Sequence, residues 1–207
     1  MFKINKNKLI KALVIALELL AMAIFIYLLI LPLWPAIVYK FSKPDQKVDW
    51  QNSIAIKEQT SLIINHLPEE SNSLSVNRII IPKISVNASI IESKEEEYAL
   101  NRGSWRLPES STPEKGGNTV ITGHRFKYLP PSNLTFYLLD KLIIGDIISV
   151  IWQGQEFLYR AKEIKIVSKN DLSVLDQSSD SILTLFTCDP IYSQKNRLVI
   201  IGELIEK

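Results

Sequence analysis

The sequence has few of the residues that build disulfides and metal centres. It contains one cysteine, Cys188, and two histidines, His66 and His124. A single cysteine excludes an intrachain disulfide and a thiolate metal cluster, and so few histidines predict no zinc site and no metal cofactor. The 24 basic and 22 acidic residues are mixed along the chain, without a basic stripe that carries aromatics. We therefore expect no nucleic-acid partner.

The apolar residues are concentrated near the N-terminus, where residues 9–33 are almost continuously apolar. Roughly twenty such residues suffice to cross a bilayer. Lysines at positions 3, 6, 8 and 11 predict, by the positive-inside rule, a cytoplasmic segment over residues 1–8 and a single-pass anchor in the cell membrane. Glu18 costs about 3 kcal/mol near mid-membrane, which the apolar side chains outweigh. Pro32 and Pro35 are predicted to end this helix.

A cleaved signal peptide is the alternative interpretation, since Ala21-Met22-Ala23 resembles a cleavage site. The apolar run continues about ten residues beyond it, which favours an uncleaved signal anchor. With either interpretation, the chain after about residue 40 lies outside the cytoplasm. Exported thiols tend to become oxidised or paired, so an unpaired Cys188 there is a candidate reactive nucleophile.

The remainder divides into a polar stalk over residues 34–75 and a β-rich domain over residues 76–207. Short β-branched runs separated by turn residues predict a mostly β fold, with short helices at 95–102 and 133–139. Such a pattern favours an antiparallel barrel or sandwich. The acidic run at 95–97 predicts a solvated helix face rather than a calcium site, because successive acids on a helix point in different directions. The strands are predicted at 78–82, 84–91, 118–122, 146–152, 157–167, 181–187 and 198–203.

The segment that leads to Cys188 predicts a nucleophile at the head of a groove. Side chains alternate along a strand, so Thr184, Phe186 and Cys188 share one face, and Leu185 and Thr187 share the other. After Cys188 an Asp-Pro pair ends the ladder. Thr184 and Phe186 would then form a floor beside the thiol.

Arg197 and His124 are the candidate partners of this thiol. Arg197 opens the next predicted strand, and antiparallel pairing would place it beside Cys188, where a permanently charged guanidinium can stabilise a thiolate or an oxyanion. His124 follows a strand bracketed by glycines, a position where a histidine is more often structural. However, a thiol with an ordinary pKa of about 8.5 needs a general acid and base, and the domain holds one histidine.

Three features together resemble the sortase family: the run Gly123-His124-Arg125, the pentapeptide Thr-Leu-Phe-Thr-Cys at 184–188, and Arg197 nine positions later. The resemblance implies a closed β-barrel of about eight strands over residues 76–207, preceded by a single transmembrane helix. It implies an enzyme that cleaves an L-P-x-T-G-like sorting signal at the C-terminus of exported proteins. Cys188 would form a thioacyl intermediate, His124 would act as general acid and base, and Arg197 would position substrate and stabilise the oxyanion.

The resemblance also implies the partners. Thr184 and Phe186 would line the peptide groove, and Thr187 is assigned with them to substrate binding. An amine, from a cell-wall precursor or a pilin lysine, would resolve the thioester, and no cofactor is required. The short spacing from Cys188 to Arg197 is similar to that of the class D and E groups. Two alternatives remain: a cysteine endopeptidase that releases its product to water, and a non-catalytic anchored barrel that binds peptides.

Overall fold

The computed structural model describes residues 6–42, 77–127 and 131–206. The first range is helical throughout: α1 spans Lys6–Ile30, a 3-10 turn follows at Leu31–Leu33, and α2 spans Trp34–Ser42. The apolar side chains of α1 are exposed rather than packed in a core. Within the described ranges, the segment Leu9–Phe41 is the one helical stretch that is long and apolar enough to cross a membrane.

α1 ends at Ile30, just before Pro32, as predicted, but a separate helix, α2, begins at Trp34. A proline lacks the backbone donor, but the first turn of a helix needs none, so Pro35 is accommodated at the start of α2. The helical segment therefore continues past residue 33 into the predicted stalk. The rest of the stalk, with His66, lies outside the described residues, as do residues 1–5 of the predicted cytoplasmic segment.

The C-terminal part is a closed barrel, as predicted, with strands in the order β1-β2-β3-β4-β7-β8-β6-β5. One short helix, α3, spans Glu96–Leu100, inside the predicted 95–102. The strands are β1 Arg78–Ile81, β2 Val86–Glu92, β3 Ser104–Arg106, β4 Asn118–Thr122, β5 Ile147–Trp152, β6 Gln155–Ser168, β7 Ile182–Asp189 and β8 Asn196–Glu206. All seven predicted strands are present, and β3 is the addition.

The barrel is not antiparallel throughout, which corrects that part of the prediction. The pairs β2–β3 and β4–β7 are parallel, and the other six are antiparallel. Between β2 and β3 the chain returns along the outside of the barrel through α3, so both strands run in the same direction. With three residues, β3 is too short to show an alternating pattern in the sequence.

The predicted helix at 133–139 is also wrong. Residues 133–138 form turns, followed by a 3-10 turn at Leu139–Lys141. Four consecutive side chains here, from Phe136 to Leu139, are buried in the core cluster of the barrel. A surface helix buries one stripe and exposes the rest, so a continuous buried run suits an irregular segment that covers one end of the barrel.

Strand directions define two ends of the barrel. At the end that we call the upper end, β1, β4 and β7 finish and β5 and β8 begin. It therefore carries the turn at 82–85, the long connection from 123 to 146, and the loop at 190–195. The lower end carries the β5–β6 turn at 153–154 and the segments 107–117 and 177–181. The interior between them is filled by aliphatic and aromatic side chains, including Ile79, Ile121, Leu183, Leu185 and Ile200.

Candidate active site

Strand β7 lies between β4 and β8, and this order brings the three predicted catalytic residues to neighbouring strands. In the antiparallel pair β7–β8, Cys188 is directly opposite Arg197. In the parallel pair β4–β7, Thr122 is level with Phe186. Just beyond that pair, the Thr187 hydroxyl donates to the Gly123 carbonyl, so His124 follows beside the end of β7. Neighbouring strands lie about 4.8 Å apart, so all three residues share one small region at the upper end.

The side chains of Cys188 and Arg197 also lie on the same face. Leu183, Leu185 and Thr187 are buried toward the barrel interior, so Phe186 and Cys188 point outward, and Cys188 is half-buried. Directly opposite residues of an antiparallel pair project from the same side of the sheet, which places Arg197 on that face. His124 lies two residues beyond the end of β4 and is half-buried, next to Arg125, whose guanidinium donates to the Cys188 carbonyl. The predicted alternation around Cys188 is thus the observed one.

Hydrogen bonds on both sides of His124 hold its backbone in place. The Thr187 hydroxyl donates to the Gly123 carbonyl at 2.7 Å, and the Phe136 amide donates to the His124 carbonyl at 2.9 Å. A Cβ at Gly123 would lie 3.1 Å from the Phe136 ring, so a larger residue there would require the ring to shift by a few tenths of an ångström. The imidazole therefore stands on a segment that is tied to both β7 and the core.

The electrostatic surroundings of His124 favour its neutral form. Burial lowers the pKa of the imidazole first, and the positive charge of Lys127, whose Nζ lies 3.5 Å from Nε2, lowers it further. Glu97 and Glu96 on α3 oppose this shift more weakly. The pKa lies below its ordinary value of 6.5, so the imidazole is neutral at pH 7 and can accept a proton.

We expect two surface substitutions to move the pKa of His124 in opposite directions. Lys127→Gln removes a nearby positive charge and raises the pKa, whereas Glu97→Gln removes a carboxylate and lowers it further. The measurement is an NMR pH titration of histidine labelled at Cε1, in a His66→Gln background that leaves one signal. Shifts of the same sign in both variants would contradict this description of the site.

Arg125 is a site residue that the sequence analysis quoted without giving it a role. Its guanidinium is 4% exposed and donates to the Tyr137 carbonyl at 3.0 Å, to Asp140 at 2.9 Å and to the Cys188 carbonyl at 3.4 Å. It also lies 3.6 Å from the Asp189 carboxylate. Arg125 thereby joins the segment after His124 to the end of β7. The sequence signal for this role is strand alternation, since consecutive residues of an extended segment point to opposite sides and Arg125 directly follows His124.

The Arg197 guanidinium contacts the β7–β8 loop. Its Nη1 donates to the carbonyls of Gln194 and Asn196, at 3.2 and 3.0 Å. The side chain is half-buried on the face that carries Cys188. These two bonds hold a cation beside the thiol strand and tie it to the loop that leads there.

The three predicted groove residues differ in their surroundings. Phe186 is half-buried on the outer face beside Cys188. Thr184 is buried, and its hydroxyl donates to the Asn118 side chain at 2.8 Å. Thr187 is also buried, with its hydroxyl bound to Gly123. Both threonines thus use their hydroxyls within the protein and brace β7 against β4; substrate binding by these residues stays a prediction.

Aromatic side chains form a wall next to the site. Phe126, two residues after His124, packs edge-on against Tyr192 of the β7–β8 loop with ring centroids 5.0 Å apart. On its other side it contacts Tyr137 at 6.0 Å. Among the described residues, no three His, Cys, Asp or Glu side chains are grouped as a metal site would require. A thiol, a neutral imidazole and a cation at one end of the barrel match the requirements of acyl transfer through a covalent intermediate.

Three known proteins with similar sequences are sortases. Sortase SrtE1 of Streptomyces coelicolor is 30% identical over 142 residues, which cover 61% of this chain and 39% of that protein. Sortase D of Bacillus subtilis is 26% identical, over 79% of this chain and 78% of that protein. Sortase A of Listeria monocytogenes is 25% identical, over 81% and 72%. The chain therefore spans less than half the length of the Streptomyces protein.

Solved structures agree with these relatives. Sortase C of Streptococcus pneumoniae is 31% identical with a TM-score of 0.56, over 68% of this chain and 74% of that one. The sortase D5 transpeptidase of Clostridium perfringens is 25% identical with a TM-score of 0.55, over 72% and 89%. The sequence profile of the sortase domain family matches residues 79–205, which is more than half of this chain and includes His124, Cys188 and Arg197. The chain belongs to the sortase family.

Proposed function

We propose that this protein is a membrane-anchored cysteine transpeptidase that cleaves an L-P-x-T-G-like sorting signal and transfers the exported protein to an amine. The observation that carries the proposal is the strand order β4-β7-β8, with Cys188 directly opposite Arg197 and the segment that holds His124 hydrogen-bonded to the end of β7 through Gly123. Sortases are cysteine transpeptidases, and sortase C of Streptococcus pneumoniae acts on pilin substrates. A pilin lysine or a cell-wall precursor is the proposed acceptor.

The first half-reaction forms a thioester. His124 accepts the thiol proton as the Cys188 Sγ attacks the carbonyl carbon of the scissile peptide bond. Arg197 stabilises the negative charge that develops on the carbonyl oxygen. The C–N bond then breaks, and the imidazolium of His124 returns the proton to the leaving amine. The acyl group is now bound to sulfur.

The second half-reaction decides between transfer and hydrolysis. An acceptor amine attacks the thioester carbonyl, His124 takes the proton of the amine, and the thiolate leaves to be reprotonated. Water in place of the amine would make the enzyme an endopeptidase. Phe186 shares a face of β7 with Cys188, and Phe126 and Tyr192 belong to the segments that follow His124 and Cys188; we assign these three aromatic residues to the binding of the peptide and the acceptor.

Membrane anchoring rests on α1. Its apolar part, residues 9–30, extends about 33 Å at 1.5 Å per residue, which exceeds the roughly 30 Å of a hydrocarbon core. The lysines before the apolar run orient the N-terminus toward the cytoplasm, which leaves the barrel outside.

The test is intact-mass spectrometry of the full chain in detergent with a panel of L-P-x-T-G and L-A-x-T-G peptides. We expect an acyl adduct on Cys188 that triglycine converts to a ligated peptide. An adduct that yields only hydrolysed peptide with every amine offered would favour the endopeptidase. No adduct and no cleavage across the panel would contradict the proposal.

We expect Arg197→Lys to lower kcat/KM by about 100-fold, in the range measured for the loss of one oxyanion donor. An ammonium carries the charge but cannot reproduce the planar fork of a guanidinium. The matched control is Arg160→Lys on β6, whose guanidinium binds Glu203, and its rate should stay near wild type. Near-normal turnover of Arg197→Lys in a steady-state peptide assay would refute the assigned role.

A further inference from the structure

Helix α2 packs on the upper end of the barrel, the end that carries the site. The Tyr137 hydroxyl donates to the Pro32 carbonyl at 2.9 Å, and Ala36 and Tyr39 pack against the barrel core. A cavity of about 380 Å³ lies between α2 and the barrel segments 82–85 and 131–138. The apolar helix and the catalytic residues therefore meet at the same end of the domain.

Two exposed isoleucines lie beside this contact. Lys83, which lines the cavity, forms an ion pair with Asp146 at 2.8 Å, and Asp146 accepts a bond from the Ile143 amide at 2.7 Å. The loop at 143–146 is therefore next to the turn that touches α2. Its tip presents Ile143 and Ile144 to solvent, 49% and 68% exposed. Tyr192, also at the upper end, is 73% exposed.

The lower end has the opposite character. Most of its exposed loop residues are polar or charged, as in the Gln153–Gly154 turn and at Glu109, Glu114 and Asp180; Pro108 is exposed there as well, and Leu172, 68% exposed, lies on the segment that leads to this end. Contact between large apolar side chains and water is unfavourable, so a partner that covers them is stabilising. Exposed apolar patches therefore mark interaction surfaces. The asymmetry places that surface at the end where the apolar helix leaves the barrel.

We propose that the upper end, with Ile143 and Ile144 at its rim, binds the surface of the phospholipid bilayer. The inference rests on the membrane anchoring in the proposed function. Because α1 alone exceeds the hydrocarbon thickness, α2 begins at the outer boundary of the membrane, and barrel residues that contact α2 lie at the level of the headgroups. The anchor holds this end of the barrel next to the bilayer, so the bilayer is the partner that we assign to this surface. The Cys188 thiol then lies close to the membrane surface.

The experiment measures depth with spin labels on the full chain in phosphatidylglycerol–phosphatidylethanolamine nanodiscs. A Cys188→Ala background leaves no native thiol, and single cysteines are introduced as Ile144→Cys, Asp180→Cys and Ala21→Cys. The label at 180 reports the lower end, and the label at 21 reports α1. Collision rates with oxygen, which partitions into lipid, and with a water-soluble nickel chelate give the position of each label.

We expect the label at 144 to collide with the nickel chelate several-fold less often than the label at 180. Equal access of the nickel chelate at 144 and 180, with the label at 21 protected, would overturn the membrane-facing surface and leave the anchor intact. Free access of the nickel chelate to the label at 21 would show that α1 does not span the membrane. The membrane-facing surface and the membrane anchoring in the proposed function would then both be wrong. Both 144 and 180 are exposed positions, so the substitutions leave the packing of the barrel intact.

Discussion

Cys188→Ala is expected to abolish the acyl adduct and to lower peptide turnover by at least about 1,000-fold, the scale of loss when a covalent nucleophile is removed. Alanine has no atom that can attack the carbonyl carbon, and the described part of the chain holds no second cysteine. The measurement is intact-mass detection of the adduct together with the steady-state rate on the same peptide.

The fold of this variant should be unchanged. Cys188 is half-buried at the end of β7, and its strand is held by pairing with β8 and by buried neighbours such as Thr187. The thermal midpoint should therefore stay close to that of wild type. An Ala variant with a wild-type midpoint and wild-type turnover would show that the thiol is not the nucleophile, and the transpeptidase proposal would be wrong.

His124→Gln is expected to lower kcat/KM by about 100- to 10,000-fold, the usual contribution of a positioned acid and base. Glutamine has a similar length and can form hydrogen bonds, but it does not exchange a proton near neutral pH. Because the pKa of His124 is lowered, wild-type activity should be retained at pH 7 and fall on the acid side as the imidazole becomes protonated. The variant should lose that acid limb.

The matched control is the other histidine. His66 lies outside the described residues and was given no role, so His66→Gln should retain wild-type turnover and the same pH profile. The measurement is the pH dependence of kcat/KM for both variants. A His124→Gln variant with normal turnover, or an acid limb that disappears with His66 instead, would contradict the assignment.

The candidate site was accessible from the sequence because its residues are rare and its motif is local. One cysteine and one histidine in the β-rich part left few combinations, and the alternation around Cys188 followed from the backbone geometry of a strand. The pairing of Cys188 with Arg197 likewise needed only two consecutive strands joined by a short loop. The Cys188–Arg197 pair lies within one hairpin, and the β-rich part contains one cysteine and one histidine to choose from.

The errors arose where non-local contacts override local preference. Residues 133–139 have a pattern compatible with a helix, but their consecutive burial in the barrel end imposes an irregular path. Pro35 suggested a stop, yet it occupies the first turn of a new helix. The three residues of β3 form a strand only because β2 and β4 pair with them on both sides.

The sequence alone determined the apolar N-terminal segment, the β-rich domain and the position of the single thiol at the end of a strand, since these depend on composition, spacing and short-range periodicity. Only the tertiary structure decided that β4 lies beside β7, which brings the Gly123–His124 segment to the end of the strand that carries Cys188. It also decided that α2 and the exposed isoleucines share the upper end with the site. Both results depend on strand order and direction, which are chosen by the packing of the whole barrel and leave no mark on any local stretch of sequence.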